Sequence, residues 1–265
     1  MLGGKYFVAS RLGSRQLFRP MQADEYRKMA EVEDAMWYYR ALHRHVGRSL
    51  AENLSGQAAP AVLDAGCGTG GLLRHLHAAQ SSWRLSGLDF APLACELARE
   101  RTGLEVTQGS ILALPFGDGT FAAVVSCDVV CQVTEPAAAM QEIFRVLRPG
   151  GIVVLTLPAY QWLWSYHDEE VGNLRRYSRG ETVALLATAG FAAGRSTYWN
   201  MLPLPLAILR RKIFPPRTPA SDVRLYPAPV EAMFNAMMAL EHAWLRHVSI
   251  LPGGSTVLAV GRKPA

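Results

Sequence analysis

Short, nearly continuous apolar runs alternate along the middle of the chain with stretches whose apolar residues recur every three or four positions. The first kind reads as strands covered on both faces, the second as helices lying on them. Predicted strands fall at 61–65, 83–88, 104–108, 121–127 and 152–157, with helices at 72–79, 92–101 and 136–147 between them. Pro92 and Pro136 stand where two of these helices open, a place where a missing N–H costs nothing. Strand and helix taking turns predict an α/β chain on a parallel sheet. Arg148-Pro149-Gly150-Gly151 reads as a turn before the fifth strand. Upstream, 24–50 reads as one helical stretch with Met29, Met36, Trp37, Leu42 and Val46 on its apolar face. Residues 1–20 show no period and read as an arm that orders when ligand binds. Downstream, Ser178-x-x-Glu181 is a capping box, and 230–248 reads as a helix rich in methionine.

With 265 residues, 50% of them hydrophobic and 18% charged, the chain can build one full core with decorations. A net charge of +5 and a pI near 9.2 fall short of a dedicated nucleic-acid binder. Basic residues gather at Lys5, Arg11, Arg15 and Arg19, and again at Arg210, Arg211, Lys212 and Arg217. Such runs are solvated faces or contacts for phosphate, an anionic substrate or a lipid surface. Cys67, Cys95, Cys127 and Cys131 lack metal-site spacing and read as reduced thiols of a cytoplasmic protein. No metal and no apolar leader segment are expected. The apolar stretch 201–209 is too short, and too rich in proline, to span a bilayer.

The chemistry concentrates in Val62-Leu63-Asp64-Ala65-Gly66-Cys67-Gly68-Thr69-Gly70-Gly71. Glycines let the backbone turn sharply from strand to helix and lie against a ligand. The spacing Gly66-x-Gly68-x-x-Gly71 also fits a dinucleotide fingerprint, so an NAD-dependent oxidoreductase stays open here. Asp64 tilts the choice. A carboxylate two residues before the first glycine repels pyrophosphate, whereas S-adenosylmethionine (SAM) offers an ammonium and a cationic sulfonium. Asp89, ending the second strand beside this loop, can accept both hydroxyls of a ribose.

Four segments, VLDAGCGTGG, SGLDFAP, LALPFGDGTFAAVVS and FRVLRPGGIVVLTLP, follow in this order. Through them the chain resembles class I SAM-dependent methyltransferases of the ubiquinone-biosynthesis-like type over about 61–190. The resemblance implies a Rossmann-like seven-stranded sheet with helices on both faces and an antiparallel last strand, 255–260 beside 193–198. It implies that Asp64, Gly66, Gly68 and Gly70 line the methionine end of SAM, that Asp89 holds the ribose and that Phe90 lies near the adenine. Cys67 and Cys127 are counted with the cofactor residues. Ser110, standing where the family usually has an acid, and Ile111 are the candidates at the adenine amino group. Gln132 occupies a position where many relatives carry histidine. The segments LWS-x-HD (163–168) and RRYS (175–178) resemble a subgroup connected with small-molecule, lipid-linked or glycan-related pathways.

In open α/β sheets the ligands sit beyond the carboxyl ends of the strands, so the loops after strands four and five should hold a methyl acceptor. His167 is the candidate general base, because imidazole titrates near neutral pH. Tyr166 and Gln132 are catalytic candidates beside it. Asp168 is either an orienting acid or, with His167, a tie to Arg175 or Arg176. Tyr160, Trp162, Trp164 and Tyr166 wall the acceptor or pack in the core, and Trp37-Tyr38-Tyr39 has the same two readings. The expected division is an arm and helical lid over 1–55, a SAM-binding core over 56–200, a helical acceptor-binding insert over 201–252 and a last core strand over 253–265. The insert could also serve peripheral membrane contact through 201–217 or a homodimer interface. Together these features point to methyl transfer by SN2 displacement onto a small, partly apolar acceptor, a natural product, isoprenoid or lipid-linked metabolite, with S-adenosylhomocysteine (SAH) as product. The alternative is a SAM-binding partner subunit without catalysis, for which Gln132 and Ser110 speak. No nucleic-acid partner is expected.

Overall fold

A computed structural model describes residues 21–216, 221–248 and 250–265. The expected arm over 1–20, with its four basic residues, and Arg217 lie outside the described residues. Two helices, α1 (Ala23–Val32) and α2 (Trp37–Leu54), lead into β1 (Ala61–Ala65), α3 (Gly71–Ala79), β2 (Arg84–Asp89), α4 (Pro92–Thr102) and β3 (Glu105–Gln108). β4 (Phe121–Cys127), α5 (Pro136–Val146), β5 (Leu147–Pro158), α6 (Tyr166–Glu170) and α7 (Arg179–Thr188) follow. β6 (Ala192–Trp199), α8 (Leu204–Ile208), α9 (Ala228–Trp244) and β7 (Thr256–Arg262) complete the order.

The strands form one seven-stranded sheet in the order β3-β2-β1-β4-β5-β7-β6. β7 runs antiparallel between β5 and β6, with Ala259 opposite both Leu155 and Ser196. This is the α/β, Rossmann-like architecture that the alternating pattern and the family resemblance imply. β4 shows why: Phe121 to Ser126 are all buried, because helices cover both faces. Leu42 and Val46 of α2 with Leu73 and Leu76 of α3 fill one side, and Met140 and Ile143 of α5 with Leu186 of α7 fill the other. Each such side chain contributes roughly 1.5–3 kcal/mol by leaving water.

Two expected elements differ. The stretch 24–50 is two helices broken at 33–36, because Glu33 and Asp34 turn toward the glycine loop instead of continuing the helix. Arg148-Pro149-Gly150-Gly151 belongs to β5 rather than to a turn. Gly150 at φ +73° absorbs an irregularity, and its N–H still reaches Lys263 O at 3.0 Å. The strand order reverses between β1 and β4, and ligands of such sheets bind at that switch point.

Candidate active site

β1 ends beside Asp64 and Asp128 follows β4, so two carboxyl groups flank the switch point. Above them lies a cavity of about 490 Å³, within the usual range for ligand pockets. The loop after β1 is drawn in by Leu88 O, which accepts N–H groups of Gly66 at 2.7 Å and Cys67 at 2.9 Å. Gly66 sits at φ +96°, and a Cβ there would collide with the Val129 side chain. Gly70, at φ +85°, starts α3 and leaves no room against Ala98 and Thr102.

Asp64 is 2% exposed, and its Oδ1 has no hydrogen-bond partner among the described residues. Burial, and after it the charge of Asp89, push its pKa up to about 7. Asp89 accepts N–H groups of Gly68 at Oδ2 and Ala91 at Oδ1, both at 2.9 Å. Burial raises its pKa as well, against those hydrogen bonds. Asp64 and Asp89, with Gly66, Cys67, Gly68 and Cys127, line the cavity. Gly70 does not; it shapes the turn. A cationic donor fits this arrangement, since an ammonium would supply the partner that Asp64 Oδ1 lacks. Asp89, with both oxygens anchored, keeps lone pairs for ribose hydroxyls. Burial raises the thiols of Cys67 and Cys127 well above their ordinary pKa, which keeps them neutral lining.

Phe90, Ser110 and Ile111 line an adjoining space of about 40 Å³ together with Tyr26 of α1. That space joins the main cavity at Gly66 and Asp89. Ser110 Oγ accepts the Leu112 N–H at 3.2 Å and thus caps its own turn. α1 lies over the loop: Tyr26 stands in the lining beside Asp89, and Glu33 accepts Thr69 Oγ1 at 2.5 Å and an Arg101 N–H. Asp34 pairs with Arg101 at 2.7 Å and Arg74 at 3.0 Å.

The cavity is also lined by Asp128, which the sequence reading passed over. Its φ is +57°, Tyr38 Oη donates to its Oδ2 at 3.0 Å, and its buried Oδ1 has no partner among the described residues. Burial raises its pKa. The signal was available, because Asp64 and Asp89 occupy the same place at the ends of β1 and β2. Tyr38 is held by stacking on Trp199, ring centroids 5.3 Å apart.

His167 lines the cavity, but its Nδ1 accepts the Asp222 N–H at 3.1 Å. Burial, then the charge of Arg211, pull its pKa down to about 4. A neutral imidazole accepting at Nδ1 carries its proton on Nε2, which makes it a donor and not the general base expected from sequence. Gln132 lines the cavity with Nε2 donating to Val171 O at 3.0 Å. Tyr166 stays outside the lining and donates to Asp222 Oδ1 at 3.1 Å. Asp168, fully buried, accepts Arg176 Nε at 2.8 Å and Nη2 at 2.9 Å, with Asn173 Nδ2 and the Ser165 N–H at 2.9 Å each. Of its two expected roles it takes the structural one.

None of Tyr160, Trp162, Trp164 and Tyr166 lines the cavity. Tyr160 takes φ +61° and stacks between Trp162 and Tyr198, centroids 5.6 and 5.0 Å away, so this loop turns outward. The aromatic wall comes instead from Trp37, Tyr38 and Tyr39 of α2 and Phe234 of α9, with Trp37 stacked on Phe234 at 4.6 Å. Arg210 and Arg211 also turn inward to the cavity, leaving Ile213 and Phe214 exposed beyond them.

The Methyltransferase domain family matches residues 63–155. Demethylmenaquinone methyltransferase of Thermus thermophilus is 39% identical over 118 residues, 42% of this chain and 54% of the relative. 24-Methylenesterol C-methyltransferase 3 of Arabidopsis thaliana is 30% identical over 138 residues, 49% of this chain and 36% of the relative. The chain thus spans only about a third to a half of the length of these relatives. Among solved structures, a geranyl diphosphate methyltransferase in complex with GPP and sinefungin superimposes with a TM-score of 0.59 at 18% identity, covering 93% of this chain and 88% of that one. That likeness is one of fold.

Proposed function

We propose that the chain is a class I SAM-dependent methyltransferase that methylates a small, largely apolar acceptor. The observation that carries this reading is one cavity lined both by Asp64 and Asp89 and by an aromatic, methionine-bearing wall. When bound, SAM supplies a methyl group already activated on a sulfonium. The chain's own task is therefore to align the two partners in a dry pocket. Asp64 receives the ammonium, Asp89 the ribose hydroxyls, and α1 excludes water above them. Asp128, poised by burial, takes the proton of an acceptor hydroxyl or amine at Oδ1, while Tyr38 orients it through Oδ2. His167 donates from Nε2, and Gln132 positions the segment after β4. The carboxylate pair disfavours a dinucleotide pyrophosphate, and the relatives' sterol and isoprenoid names suit an apolar wall. Among the described residues no helix is long and apolar enough to cross a membrane.

Label transfer from methyl-labelled SAM to a panel of apolar alcohols, acids and amines tests the proposal. With a turned-over acceptor, Asp128→Asn is expected to lower the rate by about 10²–10⁴-fold while SAH affinity holds. An undiminished rate would remove Asp128 as base. No transfer to any acceptor, with NADH bound in place of SAH, would favour the oxidoreductase.

A further inference from the structure

Beyond His167 the cavity wall is made by α8 and the π-helical turn Leu209–Ile213 that follows it. Leu206 and Ala207 line it with apolar surface, Arg210 and Arg211 with charge. Opposite them stands a single carboxylate. Asp222 accepts Arg210 Nε at Oδ1, 3.0 Å away, and Arg211 Nε and Nη2 at Oδ2, 3.0 and 2.8 Å away. The third cation of the lining, Arg176, is neutralised by Asp168 and spends its remaining Nη on Ala159 O at 3.0 Å. Two guanidinium groups therefore share one anion, and Arg210 Nη1 and Nη2 and Arg211 Nη1 have no partner among the described residues. The neighbouring imidazole adds an N–H donor, not an acceptor. The Arg210 side chain is 34% and that of Arg211 13% exposed, so these donors face the cavity and stay open to an anion.

We propose that Arg210 and Arg211 form a head-group site for an oxyanion, so that the acceptor is amphipathic: an apolar body against Trp37, Met233 and Phe234, ended by a carboxylate or phosphate. Planar guanidinium groups suit both oxyanions, which they bind with two parallel hydrogen bonds. The inference rests on the methyltransferase reading, since it names the acceptor class of the same cavity.

Calorimetry of the full chain with octyl phosphate, octanoate, octanol and inorganic phosphate tests it, each with and without saturating SAH. At least one of the two octyl oxyanions should bind about tenfold or more tighter than octanol, and the tighter one identifies the head group. Arg210→Gln with Arg211→Gln should abolish that preference while SAH affinity stays within about twofold. Asp222→Asn, which frees more guanidinium donors, should strengthen octyl oxyanion binding even if the double variant fails to fold. Octanol binding as well as both oxyanions would overturn the proposal, and so would inorganic phosphate binding as tightly as octyl phosphate. Absence of SAH binding with the oxyanion preference intact would sink the methyltransferase reading and leave the head-group site standing.

Discussion

Arg176→Met is expected to cost about 3–5 kcal/mol of stability, read as a lower denaturant midpoint at unchanged slope. The guanidinium and Asp168 form a bidentate pair with side chains 2% and 0% exposed. Removing the cation leaves a charged carboxylate buried with Asn173 and the N–H and hydroxyl of Ser165 against it, none of them charged. That carboxylate also ties α6 to the segment after it, so His167 and the Asp222 contact should loosen together. Replacing both partners, Asp168→Met with Arg176→Met, should recover part of the loss, because no uncompensated charge remains. Full recovery is not expected, since Asp168 also closes the capping box with Ser165. A loss below about 1 kcal/mol in the single variant would mean that water reaches this pair, as it does in exposed ion pairs.

Asp89→Ala should weaken SAH binding by about 10–100-fold, measured by calorimetry. Two effects add. The ribose hydroxyls lose a charged acceptor, and the Gly68 N–H loses the carboxylate that fixes the glycine loop. Asp89→Asn, which keeps one acceptor oxygen, should fall between the wild type and alanine. Unchanged affinity in Asp89→Ala would take this residue out of the donor site.

Much of the core was legible because its causes are local. A strand covered on both faces must be apolar at nearly every position, and Pro92 and Pro136 mark where helices open. Asp64 and Asp89 were readable since each lies in the last residues of its strand, and the helix after Ser178 since both partners of its capping box lie within one turn. The missed features depend on partners far away in sequence. The break between α1 and α2 exists because Glu33 and Asp34 meet Thr69, Arg74 and Arg101. The aromatic loop turns outward because Tyr160 stacks on Tyr198, a residue of β6. His167 lost its role as base to a backbone N–H, that of Asp222. The same Asp222 draws in Arg210 and Arg211, which from sequence read as readily as a solvated or membrane-facing patch.

The central claim is electrostatic, and Asp64 offers its most direct test. Burial raises this carboxyl to about 7 in the ligand-free protein, so it is protonated below that pH and ionised above it. An ammonium ligand needs the ionised form. SAH affinity measured by calorimetry should therefore fall about tenfold from pH 8 to pH 6. At pH 6 the binding heat should also vary with the ionisation enthalpy of the buffer, because a proton is released, and Asp64→Asn should flatten both dependences. Affinity that is independent of pH in the wild type, or no binding of SAH at all, would contradict the assignment of this site to a positively charged methyl donor.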